Sequence, residues 1–234
     1  ETCFRFVEGE TRTNLKIIDP VNHTNTDINE PGVTVSEEIL NDFLNQVTGK
    51  LTAGDIVVLS GSLPKGSPKD TYYTWVKACR KAGAKVILDA DGELLAEGLK
   101  ASPYLVKPNN HELSGLLGRT LETPEELEKA ARDLMEKYGI AKVVVSMGGE
   151  GALYVTGEET VYAQGRKVPV GSTVGAGDSV VAALAVAEES GMGLDETVRL
   201  STATGAANVM CSGTQAAEYE VIEGLLPKVV FHRL

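Results

Sequence analysis

The sequence predicts an α/β fold in which a mostly parallel sheet is flanked by helices. Short runs of valine, isoleucine and leucine recur between helical segments, which is typical of parallel strands covered on both faces. The chain has 234 residues, of which 42% are hydrophobic and 24% are charged. That length and composition fit one large domain with an ample core, with or without a small appendage.

The first 30 residues predict a β excursion outside that domain. Residues 4–7 and 13–18 alternate loosely around a turn at Gly9-Glu10, which indicates a hairpin. The polar stretch 22–31 is too rich in asparagine, threonine and aspartate to belong to a core.

Strands and helices then alternate along the chain. The predicted strands are 55–59, 85–88, 104–107 and 143–146, and the predicted helices run from a Thr34 or Ser36 cap to about Gln46, then about 68–82, 93–99 and 124–138. A hairpin of 151–156 and 160–164 follows, and two helices, about 177–190 and 195–211, close the chain. Ligands of such sheets bind at the carboxyl ends of strands, so the loops after residues 59, 88, 107 and 146 are expected to form the site.

Charge and cysteine content exclude several classes of function. The formal net charge of −11 at pH 7 repels phosphate backbones, so no nucleic-acid partner is expected. The three scattered cysteines form no Cys-x-x-Cys pair, which argues against a disulfide framework and a zinc site. No apolar run is long enough to cross a bilayer, so the sequence predicts a cytoplasmic protein without a membrane partner.

The run from Gly171 to Asp178 carries the strongest chemical signal. It places three glycines directly before a segment of small residues that is predicted to be helical. Free N–H groups at Gly175, Ala176 and Gly177 are expected to form an anion hole at the start of that helix. Asp178 beside such a hole fits a general base for phosphoryl transfer, and the alternative is that it only caps the helix.

Residues 170–179 resemble the signature of the ribokinase-like, phosphofructokinase B-type sugar kinases. The resemblance implies a ribokinase-like fold with a partial β lid at 1–30 on the substrate side and a nucleotide-binding core at 31–234. It also implies ATP as co-substrate, Mg²⁺ as cofactor, a sugar phosphate as acceptor, and a catalytic role for Asp178 with Gly175, Ala176 and Gly177.

Other loops are similar to those of the same family. Residues 109–112 resemble its Asn-x-x-Glu motif, 146–151 its nucleotide loop and 60–64 its sugar-phosphate loop. The resemblance implies cofactor-binding residues at Lys107, Asn109, Ser146, Met147, Gly148, Gly149, Glu150, Gly151 and Asn208, a metal-positioning residue at Glu112, and substrate-binding residues at Arg12, Asn14 and Ser62.

Within the family, residues 11–14, 26–32 and 172–178 resemble members that phosphorylate fructose 1-phosphate to fructose 1,6-bisphosphate. Tagatose 6-phosphate is the alternative acceptor, and a truncated, non-catalytic binder of sugar phosphate or nucleotide is the alternative function. The family's first segment has no counterpart ahead of Glu1, so we interpret the chain as a fragment with little kinase activity of its own. An exposed lid sheet favours a homodimer.

Other enzyme classes fit the sequence poorly. The nearest match to a dinucleotide fingerprint, residues 175–180, lacks the third glycine and does not follow the first strand. Neither Gly-x-x-x-x-Gly-Lys nor Gly-x-Ser-x-Gly occurs, which argues against a P-loop enzyme and an ordinary serine hydrolase.

Overall fold

The computed structural model describes residues 2–19, 22 and 24–234. The strands are β1 (Asn14–Asp19), β2 (Thr24–Asn29), β3 (Ile56–Ser60), β4 (Lys85–Asp89), β5 (Leu105–Val106), β6 (Lys142–Ser146), β7 (Gly151–Thr156), β8 (Thr160–Gln164) and β9 (Phe231–Arg233). The α-helices are α1 (Glu37–Thr48), α2 (Thr71–Lys81), α3 (Gly92–Leu99), α4 (Asn110–Leu117), α5 (Pro124–Tyr138), α6 (Ala176–Glu189), α7 (Leu194–Val209) and α8 (Tyr219–Leu225).

A seven-stranded sheet forms the centre of the described structure, with the strand order β3-β4-β5-β6-β7-β8-β9. Strands β3 to β6 run parallel, and the pairs from β6 to β9 are antiparallel. The predicted change from parallel to antiparallel pairing after residue 146 is therefore confirmed, as is the α/β fold class.

Helices cover both faces of this sheet. Within β4, Val86 and Leu88 pack with α2, α3 and α5, whereas Ile87 points to the opposite face and packs with α6. All three side chains are fully buried. This two-sided burial explains why the strand is a continuous apolar run and does not alternate with polar residues.

The predicted hairpin of residues 4–7 with 13–18 is wrong. Strand β1 pairs with β2, so that Leu15 lies opposite Ile28 and Ile17 opposite Thr26, while residues 4–7 form no strand. The described side chains of β1 and β2 are exposed or half-buried, so none of them adds to the buried core. The expectation that the polar stretch 22–31 lies outside the core agrees with the exposure of Thr26, Ile28 and Asn29, although its pairing as strand β2 was not predicted.

Three further elements were not predicted from the sequence. Helix α4 is only eight residues long, and it begins at a capping box in which the side chains of Asn109 and Glu112 accept each other's backbone N–H. Helix α8 and strand β9 follow the two helices that were expected to close the chain, and β9 extends the sheet beside β8. Elements this short contain too few residues to show a clear hydrophobic periodicity.

Strand β3 is an edge of this sheet, and Val58 within it is 39% exposed. Helix α6 lies beneath this edge, and it exposes Ala182 and Val186 on the same stripe as Asp178. Strand β3 pairs with β4 on one side only, and its other side has no neighbouring strand among the described residues. Its backbone N–H and C=O groups on that side could pair with further polypeptide. No helix of the described residues is long and apolar enough to cross a membrane.

Candidate active site

Polar side chains from three neighbouring strands meet at the carboxyl edge of the sheet. Asp89 ends β4, and its carboxylate lies 3.0 Å from the ammonium of Lys107, which follows β5. Ser60, at the end of β3, donates a hydrogen bond of 3.4 Å to the other oxygen of Asp89. Lys107 is only 6% exposed, so its charge is compensated mainly by Asp89 and little by water.

The loop after β3 is held from below by Tyr72 of α2. The Tyr72 hydroxyl donates a hydrogen bond of 2.7 Å to the carbonyl oxygen of Gly61. Burial, and then the nearby carboxylates of Asp89 and Asp91, raise the pKa of Tyr72 to about 12. The phenol therefore remains a donor at physiological pH and fixes the loop that carries Ser62.

Helix α6 begins next to the carboxyl ends of these parallel strands. Gly175 is its N-cap residue and has a φ of 77°, a left-handed conformation that favours glycine. A β-carbon at Gly177 would lie 3.7 Å from the ammonium of Lys107. The first turn of α6, whose N–H groups lack intrahelical acceptors, therefore faces the buried cation.

Asp178 is the third residue of α6, and it does not cap the helix. It is exposed, and its carboxylate has no hydrogen-bond or ion-pair partner in the described part of the chain. The first bond of the helix runs from Ser179 N–H to the carbonyl oxygen of Gly175, 2.8 Å away. Its negative charge in the first turn suits the helix dipole, and its oxygens remain available to a ligand.

The residues predicted to form an anion hole differ in their local contacts. The N–H of Ala176 donates to the Thr173 carbonyl oxygen over 3.4 Å, a long bond that a bound anion could replace. Gly175 lies against the amide of Asn208, which is 3.8 Å from the β-carbon position of the glycine.

Asn208 is buried in α7 and is only partly satisfied. Its amide nitrogen donates a hydrogen bond of 3.3 Å to the carbonyl oxygen of Gln215, whereas its Oδ1 has no partner. This arrangement ties the segment after α7 to the loop before α6. A buried acceptor without a partner is costly, so a donor from a ligand or a water molecule would stabilise it.

Glu112 has its carboxylate engaged in the capping box, where it accepts the N–H of Asn109 at 2.8 Å. Burial raises the pKa of Glu112, and the carboxylates of Asp89 and Asp91 act in the same direction, against the Asn109 hydrogen bond and the charge of Lys107. An under-solvated carboxylate with acidic neighbours favours a cation. The described residues contain no group of three or more histidine, cysteine, aspartate or glutamate side chains that could hold a metal ion by themselves.

A cavity of about 670 Å³ lies beside Asn109. Its walls are the first residues of α4 and the loop 146–150, and a parallel bridge between Asn109 and Ser146 joins them. Met147 N–H donates to the Gly151 carbonyl oxygen at 2.8 Å, which closes the loop. The volume suits a small-molecule ligand.

The lid contacts the sheet edge through Arg12. One of its guanidinium nitrogens donates a hydrogen bond of 3.0 Å to the Ser62 hydroxyl, so two predicted substrate residues from distant parts of the chain meet. Asn14 begins β1 and is exposed, without a side-chain contact to this pair. Arg12 and Asn14 both lie in residues 1–30, the predicted lid.

Sequence reasoning missed Asp89 and Tyr72. Asp89 directly follows a buried strand in a run with Asp91, and this position was a usable signal. Its ion pair with Lys107 depends on the register of β4 with β5, which no local pattern reveals.

A model described as pfkB family carbohydrate kinase matches residues 3–220 of the chain. The chain belongs to this family. The predicted resemblance is therefore confirmed, as is the enzyme class at the level of the family, a phosphotransferase with an alcohol group as acceptor.

Individual proteins support the same family. The chain is 38% identical to a 1-phosphofructokinase of Bacillus subtilis (strain 168), with all of the chain and 75% of that protein aligned. It is 45% identical to a 1-phosphofructokinase of Rhodobacter capsulatus over 87% of the chain and 64% of that protein. The crystal structure of phosphofructokinase-2 from Escherichia coli in complex with potassium has a TM-score of 0.86 and 32% identity, covering 93% of the chain and 71% of the other. The chain therefore spans about two thirds to three quarters of these proteins.

Proposed function

We propose that the chain is the larger part of an ATP-dependent kinase that phosphorylates fructose 1-phosphate to fructose 1,6-bisphosphate. The observation that carries the proposal is the unpartnered carboxylate of Asp178 in the first turn of α6, one residue after Gly177, which faces the ammonium of Lys107. A helix cap would engage this carboxylate, whereas a general base needs it free.

Asp178 takes the proton from the 6-hydroxyl of the sugar phosphate. The hydroxyl oxygen then bonds to the γ-phosphorus of ATP, the bond from that phosphorus to the β–γ bridging oxygen breaks, and ADP leaves. General-base catalysis of this kind contributes roughly 10²–10⁴-fold to a rate. The N–H groups at Gly175, Ala176 and Gly177 and the ammonium of Lys107 stabilise the negative charge on the transferred group.

Mg²⁺ would be held by Glu112 together with the phosphates of the nucleotide. The raised pKa of this half-buried carboxylate and the acidic neighbours Asp89 and Asp91 fit a cation that is held together with the nucleotide phosphates. When bound, the metal neutralises charge on the β- and γ-phosphates.

The nucleotide occupies the cavity between α4 and the loop 146–151 in this proposal. Asn109 and the small residues of the loop let the backbone approach the ligand. Lys107, two residues before Asn109, faces the first turn of α6 at Gly177. Asn208, with its unpartnered Oδ1, lies at the base of the Gly175 loop and contributes to the adenine side.

The sugar phosphate enters from the lid in this proposal. Arg12 and Ser62 hold its phosphate, because a guanidinium presents a planar pair of donors that matches phosphate oxygens. Asn14 lies two residues further along the lid and contacts the sugar hydroxyls. Residues 1–30 then act as a lid domain and residues 31–234 as the nucleotide-binding core, within a cytoplasmic enzyme.

Substrate choice is tested by comparing fructose 1-phosphate, fructose 6-phosphate and tagatose 6-phosphate as acceptors. The protein used should be extended to the length of its curated relatives, because the open edge of β3 leaves part of the substrate side uncovered. We expect the highest kcat/KM with fructose 1-phosphate. A preference for tagatose 6-phosphate would replace the substrate assignment and leave the kinase assignment intact.

The 234-residue chain by itself is expected to bind nucleotide with little turnover. Val58, and Ala182 and Val186 one and two turns after Asp178, are exposed apolar residues near the substrate side. Because further polypeptide would be needed to cover them, they favour the alternative in which the isolated chain binds ligands without catalysis. Turnover of fructose 1-phosphate by this chain at the rate of the extended protein would contradict it.

We also propose that the lid pairs two copies of the chain. Leu15 and Ile17 of β1 and Ile28 of β2 are each at least half exposed on one face of the small sheet, and a second copy would cover them. A phosphofructokinase-2 from Escherichia coli is described as a tetramer in an inhibited form, so larger assemblies occur among related proteins. Light scattering that shows a monomer at high concentration would contradict the proposal.

A further inference from the structure

His111 is a wall residue of the cavity between α4 and the loop 146–150. It is the second residue of α4, it is exposed, and its side chain has no hydrogen-bond partner in the described part of the chain. It occupies a position of the Asn-x-x-Glu segment 109–112 that the motif leaves unspecified, and it is not among the predicted site residues. Its position one residue before Glu112 brings it to the same end of α4 as the expected metal position.

His111 is the basic side chain among the described residues that line this cavity. Among the described residues that line the cavity, His111 and Glu150 are the titratable ones, and the others are asparagines, a serine, a methionine and glycines. Lys107 is near but is 6% exposed and paired with Asp89. A polyphosphate therefore meets one basic side chain at the cavity wall, on a protein whose net charge is −11.

The backbone at the same place offers donors to the same ligand. The capping box uses the N–H of Glu112, which donates to Asn109 Oδ1 at 2.8 Å, so the N–H groups of Asn110 and His111 have no intrahelical acceptor. An imidazole N–H can donate a hydrogen bond to an anionic oxygen. The imidazole and these two backbone N–H groups therefore belong to residues that line the same cavity.

We propose that His111 binds the polyphosphate of the nucleotide and is a further determinant of nucleotide affinity. This inference rests on the proposed nucleotide site. It assigns His111 to the phosphates and not to the adenine, because the imidazole shares its side of the cavity with the free N–H groups of the helix, which favour anions.

Calorimetric titration of the 234-residue chain with ATP, ADP and adenosine tests the proposal. His111→Ala should weaken the binding of ATP, or of both ATP and ADP, by about tenfold, since a hydrogen bond to a charged group is lost. The affinity for adenosine should not change. His111→Lys should bind ATP within about threefold of the parent, and His111→Glu should bind it more weakly than His111→Ala does.

Lys129→Ala is the matched control, because Lys129 is exposed on α5, away from the cavity, and its removal should leave all affinities unchanged. The variants at this exposed helical position should keep the thermal midpoint of the parent. Unchanged ATP and ADP affinity in both His111→Ala and His111→Glu would overturn the inference while leaving the nucleotide site standing. An equal loss for adenosine would overturn the assignment to the phosphates. A parent chain that binds no adenine nucleotide would overturn the proposed site and the inference with it.

Discussion

The carboxylate of Asp89 lies 3.0 Å from the buried ammonium of Lys107, at the carboxyl edge of the sheet. Asp89 also accepts a hydrogen bond from Ser60, and Lys107 faces the first turn of α6 at Gly177. The pair therefore links the loop on the substrate side to the helix that carries Asp178. A cation fixed in this way would stabilise a transferred phosphoryl group without having to reorganise.

Asp89→Asn should destabilise the chain and weaken nucleotide binding. It removes the charge that compensates Lys107 in a nearly dry environment, and breaking such a buried pair costs about 3–5 kcal/mol. Denaturant unfolding and ATP titration measure the two effects. Asp91→Asn is the control, since Asp91 is exposed and its side chain forms no capping hydrogen bond.

The double variant Asp89→Asn with Lys107→Met separates the contribution of the ion pair to folding stability from its contribution to ATP binding. It should recover much of the stability that Asp89→Asn loses, because no unpaired charge remains buried, yet it should not recover ATP affinity. If the double variant is as unstable as the sum of its two single variants, the ion pair is not the source of the effect.

Glu112→Gln should raise the stability of the nucleotide-free chain and lower its affinity for Mg²⁺-ATP. Burial raises the pKa of Glu112, so the stability that the neutral form contributes is present at low pH and is lost as the pH rises through that pKa. Glutamine keeps the acceptor for the Asn109 N–H and avoids the charge. We expect a thermal midpoint about 1–3 °C higher at pH 7.

Calorimetry with and without Mg²⁺ completes this test. The loss of affinity should appear with Mg²⁺-ATP and be absent with ATP in excess chelator. Glu136→Gln, a change at an exposed acid of α5, serves as the control. Equal losses with and without the metal would remove Glu112 from metal binding.

Glu188 should make the stability of the chain depend on pH. This buried carboxylate near the end of α6 lies 3.4 Å from the ammonium of Lys85 and pairs closely with Lys142. Burial opposes its ionisation, but the hydrogen bonds and charges of its partners outweigh burial and lower its pKa. The resulting stability is fully present at pH values above the ordinary pKa of glutamate, about 4.3. It is lost as the pH falls through the lowered pKa of the folded state.

Glu188→Gln should therefore cost about 1–2 kcal/mol at pH 7, a figure that allows for the partial exposure of both lysines. The difference from the parent should shrink below about pH 4. Urea unfolding at a series of pH values measures it, with Glu189→Gln as a neighbouring exposed control. A difference that stays constant down to pH 3 would show that Glu188 acts through packing alone.

Arg12→Lys should raise the KM for the sugar phosphate about tenfold in the extended protein and leave the KM for ATP unchanged. Lysine keeps the charge but loses the planar pair of donors, one of which reaches Ser62 in the described structure. Arg5→Lys is a matched control on the same segment, because Arg5 pairs with Asp42 instead. An effect of similar size on the KM for ATP would place Arg12 outside the sugar-phosphate site.

Parts of the fold could be read from the sequence because local chemistry and burial agree there. Helix α5 has its predicted bounds, since Thr123 and Glu126 form a capping box and Gly139 ends it in a left-handed conformation. Strands β7 and β8 also have their predicted bounds. The lid hairpin was misplaced because both of its strands are largely exposed, so no burial pattern marks them.

The sequence predicted which loops form the site, but not which side chains in those loops contact each other. The loops after β3, β4, β5 and β6 lie at one edge, as expected for parallel strands. Contacts such as Arg12 with Ser62 join residues that are 50 positions apart, and they depend on how the lid packs. Such contacts have no signature in a single sequence.

The most direct test of the central claim is the turnover of Asp178→Asn in the extended protein, measured beside its ATP affinity. If Asp178 is the general base, kcat should fall by roughly 10²–10⁴-fold while the dissociation constant for ATP stays within about threefold of the parent. Asp195→Asn, a change at an exposed acid of α7, should leave both quantities unchanged. A kcat equal to that of the parent would contradict the assignment of Asp178 as the catalytic base.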